Sequence, residues 1–588
     1  MLTDTFKKLA RLAWFLPGFL LWAAFPPMGE GSDCLFALAP LLWLSRREQP
    51  GLAAKRWFQN GLFFWVATLA WMPAIVKNGG PWPLVVLGWG ALAAYCAGYF
   101  ALFGWAAAKY WQWARGTRTA AHGGLSLRLL GVLAVEPILW CGLELVRSRL
   151  FGGFAWNQLG VVPANFGFGA PAALGGVYLC SAVVILVNGS LAGIAERVWK
   201  PERSGFPCLR KFGSLETLAA FALVFGVYAA AKMEASGREV RDAGGASLKV
   251  ALVQRNFPCV FKAQEDDPFA VYSNLLQNVA LLKPDLVVLA ESALCEFGPL
   301  DQQGAARFAA FVRGQTGAAL LAGGTRYEDG KTYNSAALYG GLRGDGGRRT
   351  ADSGDGRAEG RDDLQVYDKV HLVPFGEFIP GDKWFPALQR LAPVGSCTPG
   401  EPRLLTLNAQ PSPVNPQPST LNPQRPTLNS HPSTPLGVAI CFEDTDSALM
   451  RRAAAAGAKA LVFITNDSWF SQSDEALAHA WQATARAIET GLPVVRVGNS
   501  GVSGTITPQG RATWLLDAAG RPLVDRRGTL FDRIPIAADA PCPTFYVRWG
   551  DIPLAVAFAL LVGCLLLVGR RSSQPLCFRR EKWYNSRP

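Results

Sequence analysis

The stretch LGVAICFED (436–444) ends an apolar, β-rich run with Cys441, and the carboxylate Glu443 follows after a single intervening residue. A cysteine at the end of a buried strand is typical of a nucleophile held at the edge of a sheet. On its own, a free cysteine is more often an inert core residue. The rest of the chain must therefore decide between a catalytic and a packing role.

Similar strand-like runs surround this stretch and alternate with helical patterns, which predicts βα units around a buried sheet. The predicted strands are 249–254, 285–290, 318–324, 334–340, 436–441, 459–465, 493–498 and 502–507. The predicted helices are 268–282, 302–314, 445–457 and 474–490. We assign this globular domain to residues 233–551. Residues 341–363 and 408–435 are rich in Gly, Asp, Arg, Pro, Asn and Ser, and we expect both to be disordered insertions.

The sequence on both sides of this domain is much more apolar. Only 17% of the 588 residues are charged and the mean hydropathy is +0.17, whereas soluble domains carry about 25% charge. We expect a transmembrane bundle over residues 1–232, a final transmembrane helix at 552–569 and a basic tail at 570–588. The eight apolar runs are 9–27, 33–45, 58–76, 82–108, 127–146, 171–196, 215–232 and 552–569.

Basic residues alternate between the short loops, and the Lys- and Arg-rich loops are expected on the cytoplasmic side. This pattern predicts both termini in the cytoplasm and the 233–551 domain outside it. The net charge of +13 is then explained by membrane topology, so we expect no nucleic-acid partner.

Three polar residues occupy comparable places after predicted strands. Glu291 follows DLVVLA (285–290), Lys369 lies in VYDKVHLVPFGEF (366–378), and Cys441 follows LGVAI. Glu291 is suited to take the thiol proton as a general base, and Lys369 to stabilise an oxyanion. Cys441 would then attack as a thiolate, which its free pKa of about 8.5 makes scarce at neutral pH.

Several motifs together resemble one known family. They are FPP (25–27), GGFAWNQLG (152–160), VALVQRNFP (250–258), TYNSA (332–336), VHLVPFGEF (370–378), AICFE (439–443), TNDSWF (465–470) and GNSGVSGTITPQG (498–510). The motifs of the globular domain resemble the nitrilase superfamily with its Glu-Lys-Cys triad. The membrane spans narrow the resemblance to the apolipoprotein N-acyltransferases. The implied fold is a multi-span α-helical bundle plus an extracytoplasmic α+β domain, a nitrilase-like αββα sandwich.

The resemblance also implies a function and a set of site residues. Cys441 would take an acyl chain from a phospholipid, with phosphatidylethanolamine expected, and pass it to the N-terminal amine of the diacylglyceryl-cysteine of an apolipoprotein. The enzyme would lie in the bacterial inner membrane with its catalytic domain on the periplasmic side. Glu291 and Lys369 complete the triad, and no cofactor or metal is implied. Supporting roles fall to Glu377 and Glu443, and wall positions to Asn334, Asn466 and Trp469.

Two other classes of function remain open at this stage. One is a membrane-anchored amidase or nitrilase, in which water replaces the amine. The other is an inactive membrane scaffold. Four histidines with no HExxH-type spacing make a metal site improbable. Glu136 and Glu144, eight residues apart in one span, either line a polar cavity or pair with neighbouring spans.

Overall fold

The computed structural model describes residues 14–116, 127–198, 215–242, 246–258, 266–300, 302–340, 364–381, 396–408, 412–413, 433–537 and 541–572. Apolar helices form its N-terminal part. They are α1 (Leu16–Ala23), α2 (Ala39–Ser45), α3 (Pro50–Thr68), α4 (Trp82–Gly116), α5 (Glu136–Arg147), α6 (Val161–Asn165), α7 (Ala172–Val198) and α8 (Leu215–Asp242). A π-helical turn, Gly131–Val135, leads into α5.

Five helical segments are long and apolar enough to cross a membrane. They are Pro50–Asn78, Trp82–Gly116, Leu127–Arg147, Ala172–Glu196 and Leu215–Gly237. These helices coincide with five of the eight predicted spans, and two further apolar helices, Gly31–Ser45 and Ile552–Leu567, are shorter. The first predicted span is described only from residue 14 onwards.

The two acidic residues of α5 are both buried, and they have different partners. Glu136 forms an ion pair with Arg46 (2.8 Å) and accepts a hydrogen bond from the Trp111 indole (2.9 Å). Glu144 accepts a hydrogen bond from the backbone N–H of Leu159 (2.8 Å). Glu136 therefore pairs with a neighbouring element, and Glu144 holds the loop that follows α5.

The globular domain contains thirteen described strands in two sheets. They are β1 (Ala246–Gln254), β2 (Leu286–Leu289), β3 (Ala319–Glu328), β4 (Lys331–Tyr339), β5 (Leu364–Asp368), β6 (Leu404–Leu407), β7 (Ser412–Pro413), β8 (Thr434–Ile440), β9 (Ala460–Asn466), β10 (Val494–Asn499), β11 (Gly504–Ile506), β12 (Ala512–Trp514) and β13 (Gly528–Ile536). The first sheet has the order β13-β1-β2-β3-β4-β5, with β7 paired to β1. The second has the order β12-β11-β10-β9-β8-β6.

The domain helices are α9 (Pro268–Ala280), α10 (Gln303–Thr316), α11 (Ser447–Ala455), α12 (Glu475–Thr490) and α13 (Phe545–Trp549), and α14 (Ile552–Ser572) follows. Side chains of β1 alternate between two cores, as strand geometry requires. Leu248 and Val250 pack between the sheets with Val438 and Val462, whereas Ala251 packs on the outer face beneath α9 and α10. The outer face of the second sheet packs on α11 and α12. This helix–sheet–sheet–helix order confirms the predicted αββα sandwich.

All eight predicted strands and all four predicted helices are present within a few residues of their expected bounds. Residues 341–363 lie outside the described residues. In the second proposed insertion, Ser412 and Pro413 pair antiparallel with β1, so these two residues extend the first sheet. Proline is accepted in an edge strand because its nitrogen carries no hydrogen to donate, and an edge strand has no neighbour on one side that would need that hydrogen bond.

Polar contacts fix the sandwich to the bundle. The Asn78 side chain donates a hydrogen bond to the carbonyl of Trp469 (2.7 Å), and the backbone N–H of Val177 donates to Glu489 (2.7 Å). Glu489 lies on α12 and Val177 on α7. Both contacts are buried or partly buried, so α12 is attached directly to the membrane helices.

Candidate active site

The three predicted triad residues each follow the end of a strand. Glu291 comes two residues after β2, Lys369 directly after β5 and Cys441 directly after β8. Strands β2 and β3 are parallel, and β5 runs in the same direction because both β3 and β5 are antiparallel to β4. The carboxyl ends of these strands therefore share one edge of the first sheet, and β8 brings Cys441 to it from the second sheet.

Lys369 is the centre of the polar contacts at this edge. It is only 1% exposed, and its Nζ lies 2.9 Å from Glu377 Oε2 and 3.9 Å from Glu291 Oε1. Burial alone would lower the pKa of Lys369, but the charges of Glu377, Cys441 and Glu291 raise it above its usual value. The lysine therefore remains an ammonium group, which is the form that can stabilise a developing oxyanion.

Asn334 orients both glutamates. Its Nδ2 donates hydrogen bonds to Glu291 Oε1 (2.7 Å) and to Glu377 Oε1 (2.6 Å). The antiparallel pairing of β4 with β5 places it there, because the backbone N–H of Lys369 donates to the Asn334 carbonyl (2.8 Å). The sequence predicted a wall position for Asn334, and the structure places it in contact with both carboxylates.

Glu291 is buried, and burial raises the pKa of its carboxyl. The Lys369 charge opposes that rise, whereas Glu377 adds to it. A carboxylate with a raised pKa is a stronger proton acceptor than a free one, which suits a general base. Its backbone is closely packed as well, since a Cβ added to Gly323 would lie 2.6 Å from the Glu291 Cα.

Glu443 is completely buried and holds two loops together. It accepts hydrogen bonds from the Tyr367 hydroxyl (3.0 Å to each oxygen) and from the backbone N–H groups of Val370 (2.7 Å), His371 (3.0 Å) and Ile440 (2.8 Å). These donors lie on both sides of Lys369 and just before Cys441. The carboxylate therefore fixes the loop that carries Lys369 relative to the end of β8, directly before Cys441.

Cys441 begins a tight helical turn, Cys441–Thr445, and its φ of 54° lies in the left-handed region. That conformation costs a non-glycine residue about 1–2 kcal/mol, which the anchored turn must offset. Burial and the nearby Glu291 charge raise the pKa of the thiol well above its usual value, while Lys369 lowers it. A thiol with a raised pKa is mostly protonated at neutral pH, and it becomes a thiolate only when a base takes its proton.

The other two predicted wall residues lie at the end of β9 (Asn466) and in the turn that follows it (Trp469). Asn466 accepts hydrogen bonds from the Ser468 hydroxyl (2.6 Å) and from the Asn499 side chain (2.8 Å). The Trp469 carbonyl receives the hydrogen bond from Asn78 of the bundle. Asn466 thus shapes the turn, and Trp469 takes part in the attachment to the membrane helices.

An aromatic layer joins the Cys441–Thr445 turn to the bundle. The Phe442 ring stacks on Phe154 (centroids 6.1 Å apart, 15°) and on Trp156 (6.4 Å, 10°). Both partners lie in the GGFAWNQLG loop that follows α5. This contact places the residue next to Cys441 against the membrane part of the protein.

Sequence reasoning missed the partners that hold the predicted residues in place. The Tyr367 hydroxyl and the backbone N–H groups of Val370 and His371 donate hydrogen bonds to Glu443. Tyr367 precedes Lys369 by two residues, on a strand that was not predicted. The short run LQVYD (364–368), with Val366 and Tyr367, is the local sequence signal for that strand, and its burial pattern does not alternate.

Comparison with known proteins matches both parts of the chain. Residues 17–190 match the apolipoprotein N-acyltransferase N-terminal domain, and residues 249–526 match the carbon-nitrogen hydrolase family. An apolipoprotein N-acyltransferase from Geobacter metallireducens is 28% identical over 593 residues, covering 98% of this chain and 97% of that protein. One from Shewanella oneidensis is 26% identical over 574 residues, covering 94% and 92%.

Among solved structures, an amidase of the nitrilase superfamily from Nesterenkonia AN1 is similar, with 16% identity and a TM-score of 0.34. That likeness covers 53% of this chain and 96% of the amidase. The two family models match in sequence order, and the curated relatives align across both of them. The chain therefore belongs to the apolipoprotein N-acyltransferase family, with its carbon–nitrogen hydrolase domain following the membrane helices.

Proposed function

We propose that this protein is an apolipoprotein N-acyltransferase that works through a Cys441 thioester. It transfers an acyl chain from a phospholipid to the N-terminal amine of the diacylglyceryl-cysteine of an apolipoprotein. The observation that carries the mechanism is the Lys369 ammonium held between Glu377 and Glu291 at the edge where Cys441 begins its turn. The hydrolase and scaffold alternatives are not favoured, because relatives that match nearly the whole chain are named as acyltransferases.

In the first half-reaction, the Cys441 sulfur attacks the acyl ester carbonyl of the lipid and Glu291 accepts the thiol proton. Lys369 stabilises the oxyanion that forms. As the carbonyl re-forms, the C–O bond to the lipid breaks and Glu291 returns the proton to the departing lysophospholipid oxygen. The products are a thioester on Cys441 and a lysophospholipid.

In the second half-reaction, the amine of the lipoprotein attacks the thioester carbonyl. Glu291 accepts a proton from the attacking nitrogen, and Lys369 again stabilises the oxyanion. Collapse of the intermediate breaks the C–S bond and forms an amide, and the thiolate recovers its proton from Glu291. A thioester stores the acyl group in activated form, so the exchange needs no nucleotide.

A run of packed aromatic side chains between the bundle and the residue beside Cys441 supports a lipid donor. Phe64, Trp65, Phe100 and Trp140 line a crevice between α1, α3, α4 and α5. Trp65 contacts Phe154 (6.0 Å between centroids), and Phe154 stacks on Phe442 beside Cys441. An acyl chain that enters from the bilayer would meet apolar side chains along this run.

The protein is a multi-pass membrane protein of a bacterial family. We place it in the inner membrane with the sandwich on the periplasmic side, because the basic loops alternate as cytoplasmic loops do. Phosphatidylethanolamine is the proposed donor. Both substrates are anchored in lipid, which accounts for a catalytic domain attached closely to membrane helices.

Intact-protein mass spectrometry after incubation with phosphatidylethanolamine tests the thioester. We expect a hydroxylamine-labile acyl adduct on the wild type and on Cys542→Ala, a matched control at another partly buried cysteine. Cys441→Ala should form none while keeping its thermal transition. An adduct on Cys441→Ala, or no adduct on any variant in the presence of bound lipid, would contradict the mechanism.

A further inference from the structure

A second cluster of charged side chains lies next to the Cys441–Thr445 turn, which we call the nucleophile turn. It consists of Asp444, Asp467, Glu475, His479 and Arg496, each at most 3% exposed. Asp444 belongs to the Cys441–Thr445 turn, Asp467 follows β9, Glu475 and His479 lie on α12, and Arg496 lies on β10. Burying a charged group costs free energy unless it is paired, so the contacts within this cluster must offset that cost.

His479 sits between two aspartates. Its Nε2 lies 3.1 Å from Asp444 Oδ1, and its Nδ1 lies 3.0 Å from Asp467 Oδ1. A neutral imidazole has one N–H only, whereas the imidazolium has two. Since both ring nitrogens face carboxylate oxygens, the charged form fits this geometry. Burial alone would lower the pKa of His479, but Asp444 and Asp467 outweigh it and the pKa rises to about 10.

Arg496 supplies the second cation. Its Nε lies 3.5 Å from Asp444 Oδ2, and its Nη2 lies 3.8 Å from Asp467 Oδ2. Each aspartate is therefore within reach of both cations. Burial and the charge of Asp467 raise the pKa of Glu475 well above its usual value, so this carboxyl is held neutral. Two anions and two cations then balance in the buried space.

Ligand atoms of Asp467, Glu475 and His479 lie within 4.8 Å of one another, a spacing that would also suit a metal ion. The Arg496 guanidinium, close to the carboxylate of Asp467, argues against that alternative. A divalent cation at this point would be repelled by it and would displace the proton on which the His479 contacts depend.

The cluster affects Cys441 through the backbone of its turn and through electrostatics. Asp444 lies three residues after Cys441 in the same turn, so its contacts with His479 restrain the backbone that carries the thiol. Asp467 contributes a negative charge that disfavours the Cys441 thiolate. Trp156 of the bundle packs on the His479 ring (5.4 Å) and on Phe442, and so closes the cluster from the membrane side.

We propose that His479 is a positioning residue for Cys441: its imidazolium anchors the nucleophile turn through Asp444 and offsets the charge of Asp467 near the thiol. The inference rests on the proposed function in taking Cys441 as the residue that carries the acyl group. It adds a role that the triad alone does not contain.

Two substitutions should shift the apparent pKa of the Cys441 thiol in opposite directions. In His479→Gln the positive charge is lost, and we expect the apparent pKa of Cys441 to rise by about one unit, which lowers the thiolate fraction at pH 7 about tenfold. In Asp467→Asn a negative charge is lost, and we expect the apparent pKa to fall. A residue with a merely structural role would slow the reaction in both variants without this difference in sign.

The measurement is the pH dependence of Cys441 alkylation by iodoacetamide in the full-length protein in detergent, quantified on the Cys441 peptide by mass spectrometry. Arg521→Gln, which breaks an exposed pair with Asp517, serves as the matched control and should give the wild-type profile. If His479→Gln does not fold, a downward shift in Asp467→Asn is still required. Shifts of the same sign in both variants, or an unshifted Asp467→Asn profile, would overturn the proposal.

Alkylation does not depend on any lipid substrate. A thiol that responds as expected in a protein that forms no acyl adduct would therefore refute the proposed function and leave this inference intact. An acyl adduct with unresponsive alkylation profiles would do the reverse.

Discussion

Replacing Lys369 with methionine tests the oxyanion role most directly. Methionine keeps much of the apolar stem of lysine and removes the ammonium that lies 2.9 Å from Glu377 and 3.9 Å from Glu291. At an effective dielectric constant of 20, these two attractions amount to about 6 and about 4 kcal/mol before desolvation is subtracted. Breaking one side of such a buried pair typically costs about 3–5 kcal/mol of folding stability.

The effect on chemistry has two parts. Loss of one oxyanion donor typically slows a reaction by about 10²–10³. Because Lys369 also lowers the pKa of Glu291, its removal should raise that pKa further and leave more of the base protonated at neutral pH. The residual acylation rate of Lys369→Met should therefore increase between pH 7 and pH 9 as Glu291 regains its charge.

The assay is the rate of acyl-enzyme formation on Cys441, followed by quenching and intact-protein mass spectrometry. Lys249→Met is the matched control. Lys249 pairs with Asp285 (3.8 Å) near the amino end of β1, whereas the site lies at the edge formed by the carboxyl ends of the strands. We expect the control to acylate within about twofold of the wild type, since its lysine lies away from the site. A folded Lys369→Met protein that acylates within about threefold of the wild type would refute the oxyanion role.

Three further changes test the surroundings of the triad. Asn334→Ala should slow acylation by about tenfold or more, because both glutamates lose a buried hydrogen bond; a wild-type rate would contradict that orienting role. Tyr367→Phe should lower the free energy of unfolding by about 1–3 kcal/mol, measured by denaturation in detergent, because Glu443 loses a donor. The pKa of His371 is raised by its hydrogen bond to Asp446. The pair therefore stabilises the fold fully below about pH 6.5, and this stabilisation is lost as the pH rises through the pKa that His371 has in the folded state. His371→Gln should therefore lower the melting temperature more at pH 6 than at pH 9, and an equal loss at both would exclude the pair.

The sandwich was largely predictable because its central strands are continuous apolar runs. Strands such as β2 and β9 are buried on both faces. Such a continuous apolar run can be identified as a strand from the local sequence, without knowing which strands pair with it. Strand β13 was missed because Asp532 and Arg533 interrupt its apolar residues. In the structure Asp532 is satisfied by the hydroxyl of Thr505, a partner from the other sheet that no local pattern reveals.

The candidate site was predictable only in part, for a related reason. Glu291, Lys369 and Cys441 each follow a strand, and strand ends can be located from sequence. The hydrogen bonds of Glu443 and the contacts of His479 depend instead on which loops meet in space. The bonds of Glu443 join loops of the two sheets, and the contacts of His479 join α12 to strand ends of the second sheet, so neither set follows from a local pattern.

The attachment of the sandwich to the bundle fixes the height of the nucleophile above the membrane. Phe442 is stacked on the bundle loop, and the turn after β9 is hydrogen-bonded to Asn78, so Cys441 cannot be raised or lowered without breaking both contacts. Substrates that are themselves dissolved in the bilayer then meet the enzyme by lateral diffusion in two dimensions. The quantity that governs turnover is accordingly the mole fraction of donor lipid in the surrounding layer, and dilution with inert lipid or detergent slows the enzyme even when the bulk concentration is unchanged.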